Sequence, residues 1–458
     1  LTLDVTADAG ASLPYLCRVF PARAGAAPAL WCLQRACVLG RSVGDGVDLA
    51  LDDDRVSRRH AEVAPDGDGG WRIRDLGSKN GLFVDGARVD AAPLVEGTRV
   101  RVGNAILVFR RLTVDAPPSM PAGLPFHGTS VALRRVEESC RRVAPSAVAV
   151  LLRGPTGSGK EVFARHVHAA SGRPGSFVPV NCAAVSEGLF ESAFFGHRKG
   201  AFTGAASDFA GFARAAARGT LFLDEVAEMS PEVQAKLLRF LDSGEVTAVG
   251  ATQPVNVDVR IVAATNQDLE ARMADGRFRP DLFARLAARQ IAIPPLAERP
   301  EDVIDIALHR VPAGLSPDAA EALVLHDWPF NVRELQSVLD AARSDAPPDV
   351  ALPVVALPPA LRARVAGRGA GAAPANAPAQ AAPVLLRAHP ESDMLRAPAP
   401  SPADPVIPDG ATPSREVVEA LVRDCDGNVS EIARRVGRER RQVYRWLHRF
   451  GLKEREGS

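Results

Sequence analysis

The sequence predicts a multidomain chain: an N-terminal β-sandwich, a central α/β domain with a phosphate-loop motif and a small α-helical lid, a disordered Ala/Pro linker, and an all-α helix-turn-helix at the C-terminal end. Three observations predict it. Residues 10–112 break into short apolar runs separated by Asp and Gly clusters, and residues 126–343 alternate apolar strands with helical periodicity around a Gly-rich loop. Residues 344–411 are dominated by Ala and Pro, and a basic helical stretch occupies 412–458. A length of 458 residues fits this count at roughly 100 to 200 residues per domain. With 55 basic against 55 acidic residues, no whole-molecule field argues for nucleic acid or a membrane. No apolar run approaches the roughly 20 residues of a spanning helix, and residues 1–10 lack a basic-then-apolar signal layout, so a cytoplasmic location without membrane partners is expected. Cys17, Cys32, Cys37, Cys140, Cys182 and Cys425 show no zinc-site spacing, which points to reduced, mostly buried thiols.

In the sandwich the expected strands are 36–39, 61–63, 71–74, 82–84, 99–102 and 105–110. A Pro-containing joint, 115–123, follows. The next apolar run, 147–152, leads straight into Gly154-Pro155-Thr156-Gly157-Ser158-Gly159-Lys160, with a helix from Glu161. Strand, glycine loop and helix form the setting in which backbone N–H groups and a helix N-terminus cradle phosphates and a lysine reaches the β and γ phosphates. The implied cofactors are ATP and Mg2+. Glu161 stands where many such loops place a Ser or Thr on the metal. A second apolar run, 220–223, ends in Asp224-Glu225. Asp224 is the expected magnesium ligand, and Glu225 the group that orients or deprotonates the attacking water. A third run, 257–264, delivers Thr265 and Asn266 to the same sheet edge, where polar groups sense the γ phosphate. Arg279 and Arg285, six residues apart, are candidate guanidinium donors to the transferring phosphoryl group.

Together these segments resemble the AAA+ ATPase domain of bacterial enhancer-binding proteins, the activators of RNA polymerase carrying sigma-54. The likeness rests on Asn181-Cys182-Ala183-Ala184, Phe195-Gly196-His197, the hexapeptide Gly200-Ala201-Phe202-Thr203-Gly204-Ala205, Gln234 to Arg239, and Asn331-Val332-Arg333-Glu334-Leu335. The resemblance implies that Phe202 and Thr203 contact the sigma factor on a nucleotide-driven loop. It implies that Asn181 restrains Glu225 until ATP is sensed, and that Arg333 is the lid's sensor arginine. Arg279 and Arg285 match trans-acting fingers, which implies a homo-oligomer, a hexameric ring. Pro155, Ala193, Ala297 and Phe330 replace an acidic residue, a glutamate, an arginine and a glycine of the family pattern, and the stretch from Asp302 to Leu315 is shorter than the family's lid helix.

Leu39-Gly40-Arg41-Ser42, Val56-Ser57-Arg58-Arg59-His60 and Leu76-Gly77-Ser78-Lys79-Asn80-Gly81 resemble the forkhead-associated (FHA) domain over residues 10–112. That likeness implies phosphothreonine peptide binding by Arg41, Ser57, Arg58, Lys79 and Asn80, with His60 in a structural role and a Ser/Thr kinase upstream. At the other end, a capped helix from Asn428 closes at Gly437 and a basic helix follows. This resembles the Fis-type helix-turn-helix of the same activators, with Arg438, Arg440, Arg441 and Arg445 expected on upstream enhancer DNA. The expected whole is an ATP-hydrolysing activator that remodels sigma-54 RNA polymerase holoenzyme under phosphothreonine control. Two alternatives stand beside it: a phosphopeptide-binding DNA adaptor with a weak or inactive ATPase ring, and an AAA+ remodeller of another protein.

Overall fold

A computed structural model describes residues 12–25, 28–67, 69–113, 126–185, 187–344, 347, 349–365 and 415–424, with the single positions 432, 443, 446 and 450. It divides into two units, Leu1–Ala375 and Asn376–Ser458.

The N-terminal strands are β1 (Ser12–Phe20), β2 (Ala29–Cys32), β3 (Cys37–Gly40), β4 (Leu49–Ala50), β5 (Ala61–Asp66), β6 (Gly70–Asp75), β7 (Leu82–Val84), β8 (Ala87–Val89), β9 (Ala91–Leu94), β10 (Arg99–Val102) and β11 (Ala105–Thr113). They form two facing sheets, ordered β2-β1-β11-β10-β7-β8 and β4-β3-β5-β6-β9. All six predicted strands are present; β1 and β2 lie ahead of them. Side chains alternate across each strand, so Leu16, Leu107 and Phe109 enter the sandwich core. Cys17, Val19, Ile106 and Val108 point the other way and are nevertheless buried, because that outer face packs on the lid.

The central domain begins with α1 (Val131–Val143), whose first turn is capped by Ser130 Oγ accepting from Leu133 N. Then come β12 (Val150–Arg153), α2 (Lys160–Ala170), β13 (Phe177–Asn181), α3 (Glu187–Phe195), α4 (Phe212–Ala215), β14 (Thr220–Asp224), α5 (Pro231–Ser243), β15 (Glu245–Val246), β16 (Val255–Asn256), β17 (Arg260–Thr265), α6 (Leu269–Ala274), α7 (Pro280–Leu286) and β18 (Arg289–Ala292). Strands β13-β14-β17-β12-β18 make a parallel sheet in that order. Near-continuous apolar strands suit a sheet covered on both faces, and β17 is buried throughout. Its one charged residue, Arg260, is accommodated because the guanidinium donates to Val143 O and Ala144 O at the C-terminus of α1.

The lid comprises α8 (Pro300–Arg310), α9 (Pro317–Leu325), α10 (Asn331–Ser344) and α11 (Pro359–Ala363). The expected linker from residue 344 overlaps the lid, since residues 349–365 pack as part of it. Leu352, Leu357 and Leu361 are at most 3% exposed and close the lid core. Averaging over an Ala/Pro-rich stretch conceals a few large apolar side chains that suffice to anchor it.

In the second unit α12 (Arg415–Asp424) is described, with Val418 buried. Arg438, Arg440, Arg441 and Arg445 lie outside the described residues. Among the described residues no helix is long and apolar enough to cross a membrane, and no group of three or more His, Cys, Asp or Glu side chains could hold a metal ion.

Candidate functional site

Three strands of the parallel sheet end at one edge: β12 runs into the glycine loop, β14 into Asp224-Glu225 and β17 into Asn266. Ligands of open parallel sheets bind at this carboxyl edge. Gly157 and Gly159 take φ of +75° and +100°, and a Cβ on Gly157 would sit 2.2 Å from Phe330 O, so the turn tolerates no side chain there. Lys160 is buried and donates from Nζ to Gly154 O at 3.0 Å and Pro155 O at 3.4 Å, folded over the loop. Its Nζ also lies 3.7 Å from Glu225 Oε1.

Burial, and next the neighbouring Glu225 carboxylate, pushes the Asp224 carboxyl up, with Lys160 pulling against them. Two carboxylates at the end of a buried strand, offset by one lysine, fit a divalent cation bound together with phosphate. Glu225 itself takes a left-handed φ of +53° and accepts from Asn266 N at 3.3 Å. Asn266 Nδ2 donates to Thr156 Oγ1 at 2.8 Å, so one residue touches both the glycine loop and the glutamate.

Three of the expected residues make other contacts in this structure. Thr265 is fully buried and its Oγ1 accepts from Gln267 N, so it meets the loop only through its carbonyl, which accepts from Gly154 N at 3.2 Å. The Asn181 Oδ1 accepts from Ala183 N, and Glu225 is held by Asn266 and Lys160 instead. The Glu161 carboxylate pairs with Arg165 on the α2 surface rather than lining the loop. Ser158 Oγ, by contrast, is buried within the loop without a hydrogen-bond partner.

The lid closes on the same loop. Asn331 Nδ2 donates to Thr156 O, Val332 N to Gly157 O, and the buried Arg299 donates from Nη2 to Ser158 O at 3.2 Å. Arg333 is exposed beside Gly157. Sequence reasoning did not single out Arg299 or Asn331; their burial beside a Gly-rich loop was the missing signal. Arg279, which precedes α7, and Arg285 on it are exposed and held by Asp281 and Asp242 at 2.7 Å.

The hexapeptide forms a closed tip between α3 and α4. Gly200 N donates to Ala205 O, and Ala205 N to Phe202 O. Thr203 is exposed, and Phe202 is 37% exposed with its ring edge-on to His197.

On the sandwich, Arg41, Ser57, Arg58, Lys79 and Asn80 come together on adjoining loops. Arg41 N donates to Ser57 O, and Ser57 Oγ accepts from Lys79 N at 3.1 Å. The Arg41 guanidinium donates to Val56 O and Asp54 O, and Asn80 Nδ2 to Arg55 O at 2.6 Å. The loops approach closely because Gly40 lacks a Cβ, which would lie 2.0 Å from Arg58 O. Buried His60 accepts at Nδ1 from Ser57 N and meets Gly81 O at Nε2, as expected for a structural residue.

Residues 126–292 match the Sigma-54 interaction domain family, 37–103 the FHA domain, 287–373 the AAA+ ATPase lid domain and 420–457 a homeodomain-like domain. Over 226 residues the chain is 47% identical to the phenol regulator MopR of Acinetobacter guillouiae, covering 47% of this chain and 40% of MopR. Over 353 residues it is 40% identical to the nitric oxide reductase transcription regulator NorR1 of Cupriavidus necator, covering 71% of this chain and 63% of NorR1. A crystal structure of NtrX from Brucella abortus in complex with ATP is similar at 30% identity and a TM-score of 0.48, over 71% of this chain and 69% of that one. The chain thus spans 40% of MopR's length and 63% of NorR1's.

Proposed function

We propose a function that proceeds from family membership: the chain belongs to the sigma-54-dependent AAA+ regulators and carries an FHA domain. In this reading it is an ATP-hydrolysing transcription activator. The phosphates of ATP would lie on the N–H groups of residues 156–160, with Lys160 turned from the loop carbonyls onto the β and γ oxygens. Asp224 holds Mg2+, which supplies charge neutralisation at the transferring phosphoryl group. Glu225 accepts the proton of the attacking water, Asn266 links that glutamate to the loop, and Arg333 reads the γ phosphate from the lid.

Arg279 and Arg285, both exposed, complete a neighbour's site in a ring, a hexamer by family analogy. Hydrolysis moves the exposed Phe202-Thr203 tip against sigma-54 RNA polymerase holoenzyme. The observation that carries the reading is this tip, built into the same domain as the assembled Lys160, Glu225 and Asn266 edge. Arg41 and Ser57 take the phosphate of a phosphothreonine segment by charge-assisted and hydroxyl hydrogen bonds, Asn80 its backbone, and Arg58 and Lys79 its flanks. A Ser/Thr kinase is then an upstream partner. Arg438, Arg440, Arg441 and Arg445 contact upstream DNA.

Reconstituted transcription with sigma-54 holoenzyme tests the core claim. Thr203→Ala is expected to keep ATP turnover and lose open complexes; open complexes at the wild-type level in that variant refute the tip's role. For the sensor, equal binding of phosphothreonine peptides by wild type and Arg41→Ala refutes the phosphate assignment.

A further inference from the structure

We propose that the phosphopeptide loops and the nucleotide loop are energetically coupled through a buried interface between the sandwich and the lid, with the Arg101–Glu321 pair as the link. This rests on the reading above, in which the first site takes phosphothreonine and the second ATP.

The interface is a shared core rather than a surface contact. Cys17, Val19, Phe20, Ile106 and Val108 of the sandwich belong to the same buried cluster as Ile304 and Ala307 of α8 and Leu323 of α9. Charges inside it are paired: Arg101 Nη1 lies 2.5 Å from Glu321 Oε2 and 2.8 Å from Asp318 Oδ1, with Arg101 5% and Glu321 4% exposed. A sheet and a lid joined in this way move as one body.

The link continues to both sites through hydrogen bonds. Arg101 Nε donates to Gly103 O at 2.8 Å, and the next residue, Asn104, donates to the Asp53 carboxylate from its backbone N and its Nδ2. Asp53 begins the 53–56 loop, and the carbonyls of Asp54, Arg55 and Val56 are held by Arg41 and Asn80. These are the donors that a phosphate and a peptide backbone compete for. Occupancy of the phosphopeptide site therefore withdraws bonds from one end of a loop whose other end is fastened to Arg101. Across the interface, the lid holds the carbonyls of Thr156, Gly157 and Ser158. Nucleotide drawn onto that loop changes the lid's hold and, by linkage, acts on the phosphopeptide loop with the same coupling free energy.

Hydrogen exchange of the full chain with and without ADP reads this directly. In the wild type, ADP is expected to protect residues 154–160 and to change exchange in residues 53–56 by at least about fivefold. Arg101→Met/Glu321→Leu removes both buried charges together, so neither is left unpaired. It is expected to keep the protection at 154–160 and abolish the change at 53–56, and Asn104→Ala, which cuts the link outside the interface, to do the same. A 53–56 loop indifferent to ADP in the wild type overturns the coupling, as does an equal response in all three proteins. Absence of protection at 154–160 refutes the nucleotide reading itself, and the coupling with it.

Discussion

Replacing Arg110 by Met tests whether sandwich and lid fold as one cooperative body. Arg110 forms a fork onto Glu301, Nε to Oε1 at 2.9 Å and Nη2 to Oε2 at 2.8 Å, and adds bonds to Glu96 and to Glu298 O. The two side chains are 11% and 6% exposed. Burial alone lowers the Arg110 pKa, but the Glu301 charge and hydrogen bonds reverse this and leave it raised. Arg110→Met strands Glu301 as an unpaired buried carboxylate, which costs about 3–5 kcal/mol. Sandwich and lid together amount to about 170 residues, so at roughly 2.1 cal/mol/K per residue the unfolding entropy is about 0.36 kcal/mol/K and Tm falls by roughly 10 °C. Calorimetry is the assay: one transition for this body in the wild type, displaced downward in Arg110→Met and largely restored in Arg110→Met/Glu301→Leu, since apolar replacement of a buried pair is often neutral. Separate sandwich and lid transitions, with Arg110→Met moving neither by more than about 1 °C, refute the shared body.

Four further outcomes are expected. Burial lowers the His60 pKa, so below the ordinary value of about 6.5 the unfolded chain binds a proton that the fold refuses; sandwich stability should fall as pH drops from 7.5 to 5.5, and His60→Asn should flatten that slope in thermal melts. Gly40→Ala places a methyl 2.0 Å from Arg58 O, displacing the loop that carries Ser57 at a cost of about 1–3 kcal/mol, and phosphothreonine peptide titration should show the affinity loss. Arg285→Ala should retain nucleotide binding and lose hydrolysis, with ATP turnover partly recovered on mixing with Lys160→Ala protomers; no recovery at any ratio counts against completion in trans. Asn266→Ala should lower ATP turnover by about tenfold, the equivalent of one hydrogen bond of about 1.4 kcal/mol, whereas Asn181→Ala stays within about twofold, and the reverse ranking in steady-state rates restores the sequence-based role of Asn181.

The candidate edge was legible because its parts are local in sequence: a glycine loop after a strand, an acidic pair after a strand, and a polar pair after a third. Parallel topology brings such ends together with little freedom. Less legible was which of two adjacent side chains at a strand end faces the loop. Thr265 and Asn266 are neighbours at a strand end, and alternation buries the first and exposes the second to the loop. The domain junction was not legible. Arg101 and Arg110 sit among Val100, Val102 and Phe109, in a register where a charge is buried only if something pairs it, and their partners lie some two hundred residues onward on the lid. A charge on the outer face of a strand, alternating with core-facing neighbours, reads as solvated surface and gives no sign of a partner in another domain.

That junction also limits how a signal can act. Undocking the sandwich would expose Cys17, Val19, Phe20, Ile106 and Val108, and four large apolar side chains at about 1.5–3 kcal/mol each already cost some 6–12 kcal/mol before the lid side is counted. Two buried ion pairs would be separated as well. A ligand that reverses a two-state population from 1:99 to 99:1 needs a differential of about 5.5 kcal/mol, below this undocking cost. Release of a tethered sensor is therefore the costlier route. A shift of the docked body, altering the lid's three bonds to the glycine loop while the shared core stays closed, lies within what one phosphate can drive.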